Sequence, residues 1–181
     1  AGSILDLAAG TYRLRIAKEP AETGSYSFRL LDLEAATEIQ RGVQRSGTLD
    51  PARASAIFTY EAQAGESLAL NEVSQSNLFY GLTLRIIDPF GREIARHLDF
   101  ANAGVLTAAV AGQYTMIIEG RIYENATGVS SYAFTLDEVA DTDRALTIGE
   151  TVTGAVGSAY GTDVYRFSLS EPTDLVFDHL K

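Results

Sequence analysis

Apolar and polar residues alternate along most of this chain with a period of two. In "TYRLRI" Tyr12, Leu14 and Ile16 share one face, with Arg13 and Arg15 opposite. "SYSFRL" sets Tyr26, Phe28 and Leu30 against Ser27 and Arg29. "IFTYEA", "SLAL", "LTLRI", "REIARHLDF", "QYTMII", "SYAFTL", "DVYRFSL" and "DLVF" continue the pattern. Such alternation predicts half-buried β-strands. "DPFG" at 88–91 predicts a turn, because Pro presets φ and Gly tolerates positive φ. "DLEAATEIQRGV" at 32–43 has helix-forming residues but poor apolar spacing, so it predicts one short turn at most. Strand-length runs of about five to seven residues, broken by turn signals about every 8–12, predict an all-β, jelly-roll-like antiparallel β-sandwich.

The pattern also repeats itself. Ala1–Tyr12 lies over Ala103–Tyr114 without a gap, matching Ala9 to Ala111, Gly10 to Gly112 and Tyr12 to Tyr114. "GSYSFRL" at 24–30 lies over "SSYAFTL" at 130–136. Gly42–Leu70 lies over Gly149–Phe177, which keeps Phe58/Tyr165, Tyr60/Phe167, Leu68/Leu175 and Leu70/Phe177 in register. The repeating unit is about 105 residues long, and one complete unit is flanked by partial ones. Residues 1–33 read as the closing strands of a preceding unit. Residues 34–140 read as a linker and a complete sandwich, and 141–181 as a linker and the opening strands of a following unit. A half sandwich leaves an apolar sheet face and free edges to be covered, in cis or in trans. A composite of the two ends lacks counterparts of about residues 75–102, which favours a window onto a longer array.

Composition narrows the class. The chain of 181 residues is 46% apolar, enough for a packed core, and carries a net charge of -10. That charge repels phosphate backbones and argues against nucleic acid as a partner. The absence of cysteine removes disulfides, thiolate metal sites and thiol nucleophiles. No apolar run approaches the length of a membrane span. "AGSILDLAAG" has no charged n-region or cleavage pattern and does not read as a signal peptide.

Several stretches resemble pre-peptidase C-terminal-like domains. "GETVTGAV…GTDVYRFSLSEPTDLVFDHL" at 149–180 is similar to their opening, "LTLRIIDPFGREIA" to their middle hairpin, and "VAGQYTMIIEG…SSYAFTL" to their closing strands. The resemblance implies a jelly-roll-like sandwich, secretion and a non-catalytic role. Some such domains form tandem arrays in large bacterial surface and adhesin-like proteins. Others sit beside the catalytic domains of secreted hydrolases, and some bind collagen, polysaccharide or calcium.

Candidate chemistry is sparse. His97 and His179 have no metal-ligand spacing and read as surface or edge residues. "GVSSY" lacks the nucleophile-elbow pattern, and "GAVGSAYG" has no following helix to hold phosphate. The densest carboxylate cluster is Asp137, Glu138, Asp141 and Asp143, a candidate calcium site at the joint between units. Asn71 and Glu72 are a second candidate. Tyr123 and Tyr160, in loops, are candidates for stacking on a glycan, and Tyr80 is a weaker one. "NAT" at 125–127 fits the glycosylation sequon, read here as chance. Tyr12, Tyr26, Tyr114 and Tyr132 are predicted core residues. Together with the internal repeat, the resemblance implies no enzyme but a structural repeat of a large secreted or cell-surface bacterial adhesin-like protein, a stalk or assembly unit. Its partners would be neighbouring repeats or other copies of the chain. The alternative is a carbohydrate- or collagen-binding accessory module of a secreted hydrolase.

Overall fold

The computed structural model describes residues 5, 7–17, 24–76, 81–98, 103–120, 128–139, 141–156 and 160–180. Eleven strands form among the described residues: β1 (Thr37–Glu38), β2 (Arg45–Leu49), β3 (Ser55–Ala62), β4 (Ser67–Ser76), β5 (Thr83–Ile87), β6 (Glu93–His97), β7 (Val105–Thr107), β8 (Gly112–Glu119), β9 (Ser130–Glu138), β10 (Thr142–Ala145) and β11 (Asp163–Arg166). The short turn predicted within 32–43 is a 3-10 turn at Leu33–Ala35, where Asp32 Oδ1 accepts from the Glu34 N–H at 2.9 Å.

β1–β9 form a β-sandwich. One sheet has the order β1-β3-β8-β5-β6 and the other β2-β9-β4-β7. The last two long strands, β8 and β9, therefore lie inside the sheets rather than at their edges. The alternation seen in the sequence fills the space between them. Phe58, Tyr60, Leu84, Ile86, Tyr114, Met116 and Ile118 point inward from the first sheet, and Leu49, Leu68, Leu70, Tyr132, Phe134 and Leu136 from the second. Phe58 meets Phe134 edge-on at 5.3 Å, and Tyr60 stacks on Tyr114 at 5.5 Å, its partner in the β3–β8 register. Each fully buried large side chain stabilises the fold by about 1.5–3 kcal/mol. The Tyr114 hydroxyl donates to Val110 O at 2.9 Å, satisfying its polar end.

"DPFG" turns the chain from β5 to β6 as predicted. Asp88 Oδ1 accepts from the N–H groups of Phe90 and Arg92, both at 2.9 Å, and Gly91 takes φ +79°. Gly47 on β2 faces Tyr132 on β9, and a Cβ there would collide with the Tyr132 hydroxyl.

Two features differ from the sequence expectation. Pairing is not antiparallel throughout: β1 lies parallel to β3, and β10 parallel to β11. The reason is the crossover. After β1, the Ile39 N–H donates to Thr59 O in one sheet, and the Gly42 N–H donates to Leu136 O in the other. The chain thus changes sheets instead of folding back as a hairpin. Second, Tyr12 and Tyr26 are not core residues: both are exposed, as are Leu14, Ile16, Phe28 and Leu30. The described residues before Leu33 form no ladder, so their apolar face has no opposing sheet. Beyond β11 the same holds for Phe167, Leu169, Leu175, Val176 and Phe177.

Candidate assembly surface

The exposed flanks keep the local geometry of the sandwich strands they resemble. The Tyr12 hydroxyl donates to Ala8 O at 2.5 Å, four residues back, as Tyr114 does to Val110 O. Tyr26 and Phe28 stack at 6.2 Å and 22°, while Tyr132 and Phe134 stack at 6.1 Å and 29°. In each case the residues are those that the sequence alignment superimposes.

The C-terminal flank shows the same correspondence. β1–β3 pairs Thr37 with Phe58 and Glu38 with Thr59; β10–β11 pairs Arg144 with Tyr165 and Ala145 with Arg166. The bond from Ile39 N to Thr59 O, 2.8 Å, is matched by Leu146 N to Arg166 O, 2.8 Å. The turn bond from Val43 N to Gln40 O, 3.2 Å, is matched by Glu150 N to Thr147 O, 3.2 Å. Both turns place a glycine at positive φ, Gly42 at +70° and Gly149 at +91°. Each matched pair is related by the offset that lays Gly42 over Gly149.

The flanks and the sandwich differ in what they touch. Phe134 is 0% exposed and Phe28 53%; Tyr114 is 1% exposed and Tyr12 57%.

No family model matches the sequence, and no curated protein matches it. Among solved structures, the chain is similar to PliG of Aeromonas hydrophila, a periplasmic inhibitor of g-type lysozyme. The identity is 14% over 56% of this chain and 96% of that one, with a TM-score of 0.42. It is also similar to PliG of Salmonella Typhimurium (11% identity, 57% of this chain, 97% of that one, TM-score 0.42). A third similarity is to the pre-peptidase C-terminal domain of collagenase from Bacillus anthracis (17% identity, 56% of this chain, 94% of that one, TM-score 0.37). Similarity at this level says nothing of activity or partners.

The four carboxylates expected to share calcium are not gathered together. Asp137, on β9, accepts from Asn71 Nδ2 at 2.5 Å and from Thr135 Oγ1 at 2.7 Å. Glu138 is exposed at the end of the same strand. Asp141 accepts from the Thr162 N–H at 2.9 Å, and Asp143 takes Arg166 Nε at 2.8 Å. Strand pairing divides the cluster, drawing Asp137 toward β4 and the two later aspartates toward β11. Among the described residues no group of three or more His, Asp or Glu is placed to hold a metal ion. Asn71 belongs to the Asp137 contact, and Glu72 accepts from Gln75 at 3.2 Å. Tyr160 is exposed, at φ +66°. Tyr80, Tyr123 and the 125–127 sequon lie outside the described residues. His179 is exposed, and His97 sits half-buried on edge strand β6.

Sequence reasoning missed an ion network on the face of the first sheet turned away from the core. Arg85 on β5, only 3% exposed, donates Nε to Glu93 at 2.7 Å and reaches Glu119 at 3.1 Å. Arg96 binds the other Glu93 oxygen at 2.7 Å. The hydrogen bond from Arg96, then that from Arg85, outweighs burial and holds the Glu93 carboxyl down at about 2. Burial raises Asp88, but the Arg92 side chain and the Arg92 and Phe90 N–H groups outweigh it, leaving that carboxyl below its usual value. Burial first, then Tyr114 and Glu66, pushes the Tyr60 phenol above its ordinary range. The sequence signal was only that Arg85 alternates with Leu84 and Ile86. Arg85, Arg96, Glu93 and Glu119 tie β5, β6 and β8 together. A cleft of about 220 Å³ opens between edge strands β6 and β7, lined by Tyr60, Ile86, His97, Leu106 and Tyr114 among others.

Proposed function

We propose that this chain is a non-catalytic β-sandwich repeat module of a large secreted or cell-surface bacterial protein of adhesin-like type, serving as stalk or assembly unit. The observation that supports this reading is the correspondence of pairing register and hydroxyl bond between the flanks and the complete sandwich. Two unrelated tails would have no reason to share an offset with the domain between them. Repeat arrays behave as sums of units and neighbour contacts, which suits a load-bearing stalk. The carbohydrate- or collagen-binding alternative has weaker support. Tyr160 is a single exposed ring, and among the described residues no stacked aromatic pair includes it. No helix among the described residues is long and apolar enough to cross a membrane.

The test is to complete the flanks with the chain's own missing strands. A copy of residues 34–102 is joined ahead of Ala1, and a copy of 75–140 after Lys181. Pulled in a single-molecule experiment, this extended chain is expected to give three unfolding steps of equal length. Each step should release about 3.3–3.6 Å per residue of one unit. A single step, with both additions unfolded, would overturn the repeat reading.

A further inference from the structure

The complete sandwich has chain attached on both sides, so its entry and exit points decide how tension along the chain crosses it. β1 runs parallel to β3, with Thr37 beside Phe58, so Asp32 and Leu33 lie toward the end of the sheet that holds Ser55. Arg29 reaches that end directly, donating Nη2 to Ser55 O at 3.3 Å. The chain leaves at the opposite end. β9 runs from Ser130, beside Leu49, to Glu138. The Val139 N–H then donates to Ser67 O at 2.9 Å, just past the turn that follows Ala62. The eight residues of β3 set the two ends about 25 Å apart at the usual rise per residue.

We infer that residues 37–45 are the mechanical latch of the unit, the segment that must slip before tension on the flanks can open the sandwich. β1 alone is two residues long and is a weak hold. The chain just beyond it is fastened to β3, the β3–β4 turn, β9 and β2. The Ile39 N–H donates to Thr59 O at 2.8 Å, and the Ile39 side chain, 5% exposed, is seated in the core. Arg41 donates Nη2 to Glu61 O at 2.6 Å and pairs with Glu66 at 2.5 Å. The Gly42 N–H donates to Leu136 O at 3.0 Å. Arg45, already on β2, reaches back to Glu38 O at 2.8 Å.

Tension draws this segment along its own axis toward Ser55, while β9 is drawn the other way. Bonds that lie across the direction of pull are loaded together, and they must give way together. Past the latch the geometry changes. β2 starts at Arg45, near the exit, and runs back toward the entry. A load that reaches Arg45 peels β2 from β9 one residue pair at a time, Phe134 first and Ser130 last. The barrier that sets the rate of forced unfolding therefore lies in the latch. The inference deepens the stalk reading and rests on it for its use, since only a chain under tension needs such a device.

The test pulls single molecules of the full chain from two pairs of points. The sequence has no cysteine, so introduced cysteines define the attachments. Ala1→Cys with Lys181→Cys loads the latch. Val43→Cys with Lys181→Cys bypasses it, attaching at an exposed residue beyond the Gly42 turn. The sandwich is expected to unfold at least about tenfold more slowly at the same force when the latch is loaded. Arg41→Ala, which removes bonds to a charged group, should raise the unfolding rate about tenfold in the first geometry and leave the second as it was. Glu66→Gln tests the same link while still accepting from the Gln63 N–H, which lies 2.7 Å from Glu66 Oε2. Equal rates in the two geometries overturn the inference. So does an Arg41→Ala effect that is absent, or that is the same in both, which would mark a general loss of stability. These outcomes differ from a failure of the repeat reading. If the extended chain gives three steps and the rates ignore the latch, the repeat stands and the latch falls. If the added segments stay unfolded while the two geometries differ as expected, the latch stands and the stalk role falls.

Discussion

β8 and β9 and the segments 8–17 and 24–32 carry one pattern and have opposite environments. Tyr114 and Tyr12 make the same hydroxyl bond four residues back, and the Tyr132–Phe134 and Tyr26–Phe28 rings stack alike. Yet one set lies at the centre of two sheets and the other lies in solvent. The difference teaches what alternation encodes. It sets which side chains share a face and how the chain bends locally. Burial belongs to a pair of surfaces, and a strand cannot supply its own partner.

The sharpest way to break this comparison is to truncate equivalent rings. Phe134→Ala is expected to cost about 3–5 kcal/mol, while Phe28→Ala in a monomeric sample stays within about 0.5 kcal/mol of wild type. Urea unfolding measures both. Equal losses would mean that the flank is packed.

Charge gives the next contrast. Arg85→Ala leaves Glu93 and Glu119 without their shared cation and is expected to cost about 3 kcal/mol. Arg166→Ala breaks an exposed pair and is expected to cost less than about 1 kcal/mol. The same network sets an acid sensitivity. The Glu93 carboxyl is held at about 2 against an ordinary 4.5, so it stabilises the fold above pH 4.5. That contribution fades as pH falls from 4.5 toward 2. Glu93→Gln should flatten the pH profile of stability in this window, and an unchanged profile would remove Glu93 as its source.

A smaller contrast is the hydroxyl bond. Tyr114→Phe should cost about 1 kcal/mol in thermal or urea unfolding. Tyr12→Phe should leave the sandwich unchanged, because its ring is mostly exposed and its hydroxyl bonds only within its own segment, to Ala8 O. The smallest expected effect is that of calcium. With Asp137, Asp141 and Asp143 each engaged by a protein donor, millimolar calcium should leave the melting temperature where it is. A rise of several degrees would show that the ion displaces those bonds.

Most of the sandwich was legible because apolar residues recur at every second position of its strands and the β5–β6 turn uses Asp, Pro and Gly. The inward faces of β3, β5, β8 and β9 contain the residues the period selects, down to Tyr114 and Tyr132. The parallel β1–β3 pair was not legible, since two residues carry no period and their partner is chosen by a crossover. Nor was the fate of Tyr12 and Tyr26, whose pattern matches that of buried residues. Asp137 and Asp143 are close in sequence, but they face different strands with donors of their own. The Arg85 network escaped notice for the converse reason, because Glu93 and Glu119 are distant in sequence and meet only across the sheet.

The sheet orders have a consequence for how such a protein is made. β8 and β9 leave the ribosome after every other strand of the sandwich, and both go to interior positions. Until they arrive, β3 has no link to β5, and β2 none to β4. Nascent chain therefore waits for most of a unit's synthesis time with its sheets split and their edges open, a state prone to mispairing with a neighbouring polypeptide. Closure then comes in one late step, so a sandwich lacking only β9 should be recognised by proteases as unfolded rather than as slightly damaged.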